Sequence, residues 1–213
     1  MLQKIILRDQ IGSWLQEQLL SGSLQNGEKL SLVDISKDLE VSVTPIREAL
    51  SQLSRAGIVE TIPNRGFFVP ALSAKEAQDI YPAIYALEKL ALEQSKLDSE
   101  LLIRLKQIQT KFENAISNEE AARFDLEFHE ILISNYENRV TANILRDLKI
   151  RVFFYELEYM NSKNHKKSSE THLKIIQALE VGNKSKAYRL LQQNWETSAE
   201  FIEKHYAKNS SIL

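Results

Sequence analysis

The sequence contains no cysteine. This excludes disulfides and thiolate metal sites and matches a reducing compartment, so a cytoplasmic location is expected. No apolar run approaches the length of a membrane span. The N-terminal stretch MLQKIILRDQIGSWLQ lacks the uninterrupted apolar core of a signal peptide, and no membrane attachment is expected. Charge of either sign is not in excess: the net charge is −2 at pH 7. Any surface that binds a polyanion must therefore be a local patch. Glycine and proline are scarce, six and four in 213 residues, which leaves most of the chain free to be helical. The remaining composition, 43% hydrophobic and 26% charged, is that of a globular protein.

The few chain breakers are unevenly placed. Three of the prolines and five of the glycines fall in the first third, which implies a turn-rich module over residues 1–72 and a helical one over residues 73–213. In the first, Ile5, Ile6, Ile11, Trp14, Leu15 and Leu19 form an apolar helical stripe, and Gly22 is the expected stop. Ser31 with Asp34 three residues on reads as a capping box for a short helix to Leu39. Residues 40–43 read as a turn, with Thr44 as the cap of a third helix and Pro45 at its first position. Ile46, Ala49, Leu50 and Leu53 fall on one face of that helix, Arg47, Ser51 and Arg55 on the other, and Gly57 ends it. Residues 58–62 and 67–69 read as strands joined by Pro63, Asn64, Arg65 and Gly66.

Helix, helix, turn, helix, hairpin is the order of a winged helix-turn-helix. Such a third helix enters the major groove by its N-terminus, where free N–H groups and the helix dipole favour phosphate. Ser42 and Thr44 can donate to phosphate, Arg47 can reach phosphate or a guanine edge, and Arg65 at the hairpin tip is placed for backbone or minor groove. The same topology also serves protein contacts, with Arg47 paired to an acid. Residues 1–70 hold seven basic and eight acidic residues, so clustering and dimerisation would have to supply affinity for DNA.

The second module reads as all helix. Ser73 with Glu76 caps a helix to about residue 97, and Asp98 caps the next to about residue 117. Further helices are expected over residues 118–134, 139–161, 168–181 and 184–207, with Gly182 at a helix end and residues 208–211 frayed. The fold class is thus mainly α: an N-terminal winged helix-turn-helix followed by an antiparallel helical bundle. Asp125 and His129 lie four apart on one helix face among apolar neighbours. That pair suits either metal ligation or a hydrogen bond inside the bundle.

The run from Val41 to Leu50, VSVTPIREAL, with the trailing Asn64-Arg65-Gly66-Phe67-Phe68-Val69, resembles the GntR family of winged-helix regulators. The second module resembles the family's FCD branch. The resemblance implies a ligand-responsive, homodimeric transcription regulator that binds a double-stranded operator, with Arg47 on DNA and Gly66 in the wing turn. Val43 and Val33 stand where members of this branch often carry arginine. The resemblance further implies a divalent metal, zinc- or nickel-like, on Asp125, His129 and His172, with Asn194 at a fourth position that is usually histidine. No organic cofactor is implied. His165 and His205 do not match that pattern and are expected at the surface. Ile84 stands where an arginine often clamps a carboxylate. A small-molecule effector, a metabolite, is expected to meet Tyr81, Tyr85, Arg146, Arg151, Tyr155 and Trp195, with Phe153, Phe154 and Tyr159 further candidates, although aromatics at such spacing also serve as core. No nucleophile motif or recognisably placed base accompanies the metal-type residues, so catalysis is not expected. A metal-dependent hydrolase and a winged helix used only for protein contact are the competing readings.

Overall fold

The structure, a computed structural model, describes residues 2–21, 23–162 and 164–209, with residues 2–6, 16, 20, 208 and 209 as backbone only. Gly22, the expected stop of the first helix, and Ser210 and Ser211 of the expected frayed tail lie outside the described residues, as do the side chains of Ile5 and Ile6. The chain divides into two compact units, Met1–Leu72 and Ser73–Leu213.

In the first unit α1 spans Leu2–Leu20, α2 Leu32–Asp38 and α3 Val43–Arg55, followed by β1, Glu60–Ile62, and β2, Gly66–Phe68. Ser31 caps α2 by accepting from the Asp34 N–H, as its side chain and position dictate. Ile11 and Leu15 of α1, Ile35 of α2, and Ile46, Leu50 and Leu53 of α3 are fully buried, each side chain worth about 1.5–3 kcal/mol in removed apolar surface. Trp14 Nε1 donates to Asp38 Oδ2 at 2.8 Å and ties α1 to the end of α2.

The start of α3 differs from the sequence reading. Ser42, extended at φ −62° and ψ 155°, is the N-cap, and Val43 is already helical. Thr44 is therefore inside the first turn and Pro45 is the third helical residue. This still costs no hydrogen bond, because the first-turn N–H groups have no partner within the helix. The strands are also shorter than expected. Ile58 donates its N–H to the Leu53 carbonyl in closing α3, so pairing begins only at Glu60. The register is Glu60↔Phe68, Thr61↔Phe67 and Ile62↔Gly66, antiparallel. Residues 27–30 add to the free edge of β2: Leu30 N–H donates to the Phe67 carbonyl and Val69 N–H to the Glu28 carbonyl, both at 2.8 Å, and Lys29 bridges Phe68.

Both helices of the helix-turn-helix end in the same left-handed cap. After α3 it is formed by Gly57, at φ 72°. After α2 it is formed by Glu40, at φ 53°, with Glu40 N–H bonded to the Lys37 carbonyl and Val41 N–H to the Ser36 carbonyl. This double closure is the usual glycine motif, here built with a residue whose Cβ opposes it.

Among the described residues the second unit holds six helices: α4 Ala74–Gln94, α5 Ser99–Glu113, α6 Asn118–Leu132, α7 Arg139–Asn161, α8 His165–Glu180 and α9 Lys184–Asn209. Ser73, Asp98, Ser117 and Asn138 cap four of them through side-chain acceptors. The helix α4 continues through Pro82, which removes the N–H that would bond the Gln78 carbonyl. It packs on α7 and α9; α5 packs on α6 and α8, α6 on α7, and α8 on α9. The centre is filled by Phe112, Phe128, Tyr81, Tyr159 and Trp195. Among the described residues no helix is long and apolar enough to cross a membrane.

Glu40→Gly is expected to stabilise the first unit by about 0.5–1 kcal/mol, the relief of a left-handed side chain less the entropy of glycine. Slower amide hydrogen exchange across α2 and α3 is the readout. Unchanged or faster exchange would show that the Glu40 conformation carries no strain.

Candidate nucleic-acid interface and metal centre

Burial of Ile46, Ala49, Leu50 and Leu53 turns the opposite face of α3 outward. Ser42, Thr44, Arg47 and Arg65 are exposed, and Gly66 is half-buried in the hairpin turn at φ 106°. Ser42 makes no side-chain capping hydrogen bond, so its hydroxyl is not committed to the helix. A groove of about 820 Å³ runs between α3 and the hairpin. Arg47, Arg65 and Lys29 line it with Ser31, Ser51 and Asn64, and no aspartate or glutamate does. The module as a whole carries more acid than base, yet this face is purely cationic. Arg65 stacks over Phe68, its guanidinium carbon 5.4 Å from the ring centre. Among the described residues none of the three cations has a carboxylate partner within 4 Å, so the alternative of an acid-paired Arg47 does not hold.

The second site lies at the centre of the bundle. Asp125 and His129 project from α6, His172 from α8 and Asn194 from α9; the first three are wholly buried and Asn194 is nearly so. One ligand atom from each of Asp125, His129 and His172 lies within 4.8 Å of the others. Glu88, on α4, organises the group. Its Oε2 receives His129 Nδ1 at 2.9 Å and Trp195 Nε1 at 2.8 Å, and its Oε1 lies 3.1 Å from Lys149 Nζ. Burial would raise the Glu88 carboxyl, but the proximity of His129 and Lys149 and the hydrogen bonds from His129 and Trp195 outweigh it and bring it to about 2. An ionised carboxylate only accepts, so His129 Nδ1 carries the proton and its Nε2 faces Asn194, 3.2 Å from the amide nitrogen.

Asp125 and His172 are left unfinished. Burial, then the nearby Glu156 and Glu88 charges, raise Asp125 well above the usual carboxylate range. Burial, then His129 and His165, lower His172. Both shifts work against an ion pair at their closest approach, 3.5 Å. Neither Asp125 oxygen and neither His172 ring nitrogen has a hydrogen-bond partner, although leaving such atoms buried and unpaired costs about 1–3 kcal/mol each. His172 is held in place by Phe128, stacked at 3.9 Å. Orphaned carboxylate and imidazole atoms converging on one point fit a divalent cation.

The expected effector residues separate. Trp195 lies against His129, ring centres 4.2 Å apart, and Tyr81 lies 6.0 Å from Trp195. Tyr81 donates to Glu156 Oε1 at 2.7 Å, and Glu156 is pushed up to about 7, by burial against its hydrogen bonds from Tyr81 and Ser198. Tyr155 keeps its ring against Tyr81, centres 6.2 Å apart, but its hydroxyl, like Arg151, turns to the first turn of α4: both donate to Glu76. Tyr85 meets Gln192, and Arg146 is exposed beside Asn143. Ile84 is core. His165, expected at the surface, is half-buried, with Nε2 2.6 Å from the Phe112 carbonyl; it begins α8 three residues earlier than the periodicity indicated. His205 is exposed. Lys149 was missed, although Leu145, Lys149, Val152 and Glu156 follow the spacing of one buried stripe and all are buried.

Residues 7–69 match the model of bacterial regulatory proteins of the gntR family, and residues 79–197 match that of the FCD domain. The HTH-type transcriptional regulator YdhC of Bacillus subtilis (strain 168) is 27% identical over 196 residues, 89% of this chain and 88% of the relative. The Nta operon transcriptional regulator of Aminobacter aminovorans is 31% identical over 157 residues, 72% of this chain and 74% of the relative. The solved structure of McbR/YncC from E. coli has the same fold, with a TM-score of 0.78 and 21% identity over 94% of this chain and 98% of that one. Winged helix, helical unit and both domain matches agree: the chain belongs to the GntR family of bacterial regulatory proteins and carries the FCD domain.

Proposed function

We propose that this regulator acts in the cytoplasm as a homodimer, binding operator DNA through Ser42, Thr44, Arg47, Arg65 and Gly66, and that a small metabolite held in the helical unit with a divalent ion alters that binding. The observation that carries the DNA contact is the acid-free groove between α3 and the hairpin, lined by three cations without carboxylate partners. In this reading the first turn of α3 enters the major groove, with Ser42 and Thr44 on phosphate and Arg47 on a base edge or phosphate. Arg65 follows the adjoining backbone, and Gly66 keeps the hairpin turn tight.

For the helical unit, the unpaired atoms of Asp125 and His172 support an ion. Asp125, His129 through Nε2 and His172 would hold it, joined by the amide oxygen of Asn194 once that side chain turns from the orientation that sets its nitrogen against His129 Nε2. When bound, it would supply a Lewis-acidic anchor for an oxygen or nitrogen of the metabolite. Glu88 fixes the tautomer and orientation of His129, the task carboxylates perform behind metal-bound imidazoles. Tyr81 and Trp195, beside the cluster, would meet the metabolite directly. Control of DNA binding follows if the liganded unit favours one arrangement of the two winged helices over another, so that effector and operator affinities are linked.

Selection from a random duplex pool is expected to enrich a palindrome, and Arg47→Ala to weaken binding to it by about 1–3 kcal/mol, roughly 5- to 150-fold, with the helical unit unaffected. Equal affinity of variant and wild type would remove Arg47 from the interface. Asn194→His replaces an amide oxygen by imidazole and is expected to tighten zinc or nickel binding on the order of tenfold or more, measured by titration against a chelating indicator. Unchanged affinity would place the ion away from Asn194.

A further inference from the structure

We propose that Lys29 is a phosphate anchor of the DNA interface, a role that rests on the operator-binding reading above. Nothing in the helix-turn-helix pattern points to it, since it precedes α2 in sequence and lies in what reads as a loop. The structure makes that loop part of the hairpin. Glu28 accepts from Val69 N–H, Leu30 N–H donates to Phe67, and Lys29 itself pairs with Phe68. Residues 27–30 are thus fixed as an extended segment on the edge of β2, in which successive side chains point to opposite faces. Leu30 is buried, 2% exposed, so Lys29 is directed outward, into the groove between α3 and the hairpin.

The surroundings of Lys29 point to an anion. It shares the groove with Arg47 from α3 and Arg65 from the hairpin turn, cations supplied by three different segments. No acid lines the groove, and among the described residues Lys29 has no carboxylate partner within 4 Å. Three like charges gathered on one face repel one another, a cost that an anionic partner removes. The lysine stem passes close to Gly66: its Cε is 3.6 Å from where a Cβ on Gly66 would stand. The stem therefore runs alongside the turn that carries Arg65. A lysine ammonium is a compact charge on a flexible stem, without the planar fork that reads a guanine edge. Its partner is accordingly a phosphate of the duplex backbone, and its contribution is to affinity and register rather than to sequence choice.

The test compares the full-length wild type, Lys29→Met and Lys29→Arg by fluorescence anisotropy. The probes are the enriched duplex and a random duplex, from about 50 to about 200 mM salt. Lys29→Met removes one phosphate contact from each protomer of the dimer and is expected to weaken both duplexes by the same factor, roughly ten- to hundredfold, and to reduce the slope of log affinity against log salt by about two. Lys29→Arg is expected to keep the wild-type slope. Lys29 is exposed, and matching thermal unfolding of the variants separates a binding loss from a folding loss. An unchanged slope in Lys29→Met overturns the proposal, as does weakening confined to the enriched duplex, which is the mark of a base contact. Failure of the operator-binding reading shows separately, as absence of salt-dependent duplex binding by the wild type, and it removes the phosphate role with it.

Discussion

A carboxylate with no access to water lies at the centre of the helical unit, and the surrounding residues are arranged to keep it charged. Glu88 is compensated from three directions, by His129 on α6, Lys149 on α7 and Trp195 on α9. Burying a charge is tolerable only when partners replace the lost hydration. Four of the six helices are thereby held to one atom group. The arrangement also determines what His129 can do, since its Nδ1 is committed and only Nε2 remains for a ligand. The same enclosure leaves Asp125 and His172 without partners, which makes the core complete as packing but incomplete as electrostatics.

The DNA-binding unit handles charge differently. Its net charge is slightly negative, yet one groove is lined by cations and by no acid. Three segments supply them: the edge strand of residues 27–30, the outward face of α3 and the hairpin turn each bring one cation to it. Affinity for a polyanion depends on such local density rather than on the net charge of the module.

Much of the architecture was legible in the sequence because short-range signals determine it. Ser31 with Asp34 and Ser73 with Glu76 marked helix starts that the structure retains, and the i, i+3, i+4, i+7 spacing of Ile46, Ala49, Leu50 and Leu53 identified the buried face of α3. Boundaries were less legible where two residues competed for one role. Ser42 and Thr44 are both good caps, and the extended backbone at Ser42 decides between them. Pro82 reads as lying within a helix, and α4 does continue through it, packed on α7 and α9. The rest of the buried cluster was harder to see. Resemblance supplied His172 and Asn194, from helices distant in sequence. Lys149 escaped because a lone lysine on a helix reads as solvated, and its burial depends on Glu88 from another helix. Arg151 and Tyr155 share α7 with that lysine but bond to Glu76, a long-range pairing that no spacing within α7 encodes.

The central claim is that the buried cluster is completed by a divalent ion, and ion-dependent stability tests it most directly. Thermal unfolding of the helical unit can be followed through Trp195 in the chelator-stripped Trp14→Phe chain, with and without added nickel or zinc, at about pH 6 and about pH 8. Ligation needs Asp125 ionised, and its carboxyl is raised by burial, so protons compete with the ion at the lower pH. The account predicts one ion per chain, a raised midpoint, and a larger rise at the higher pH. An unshifted midpoint at both values, with no ion retained, would contradict it.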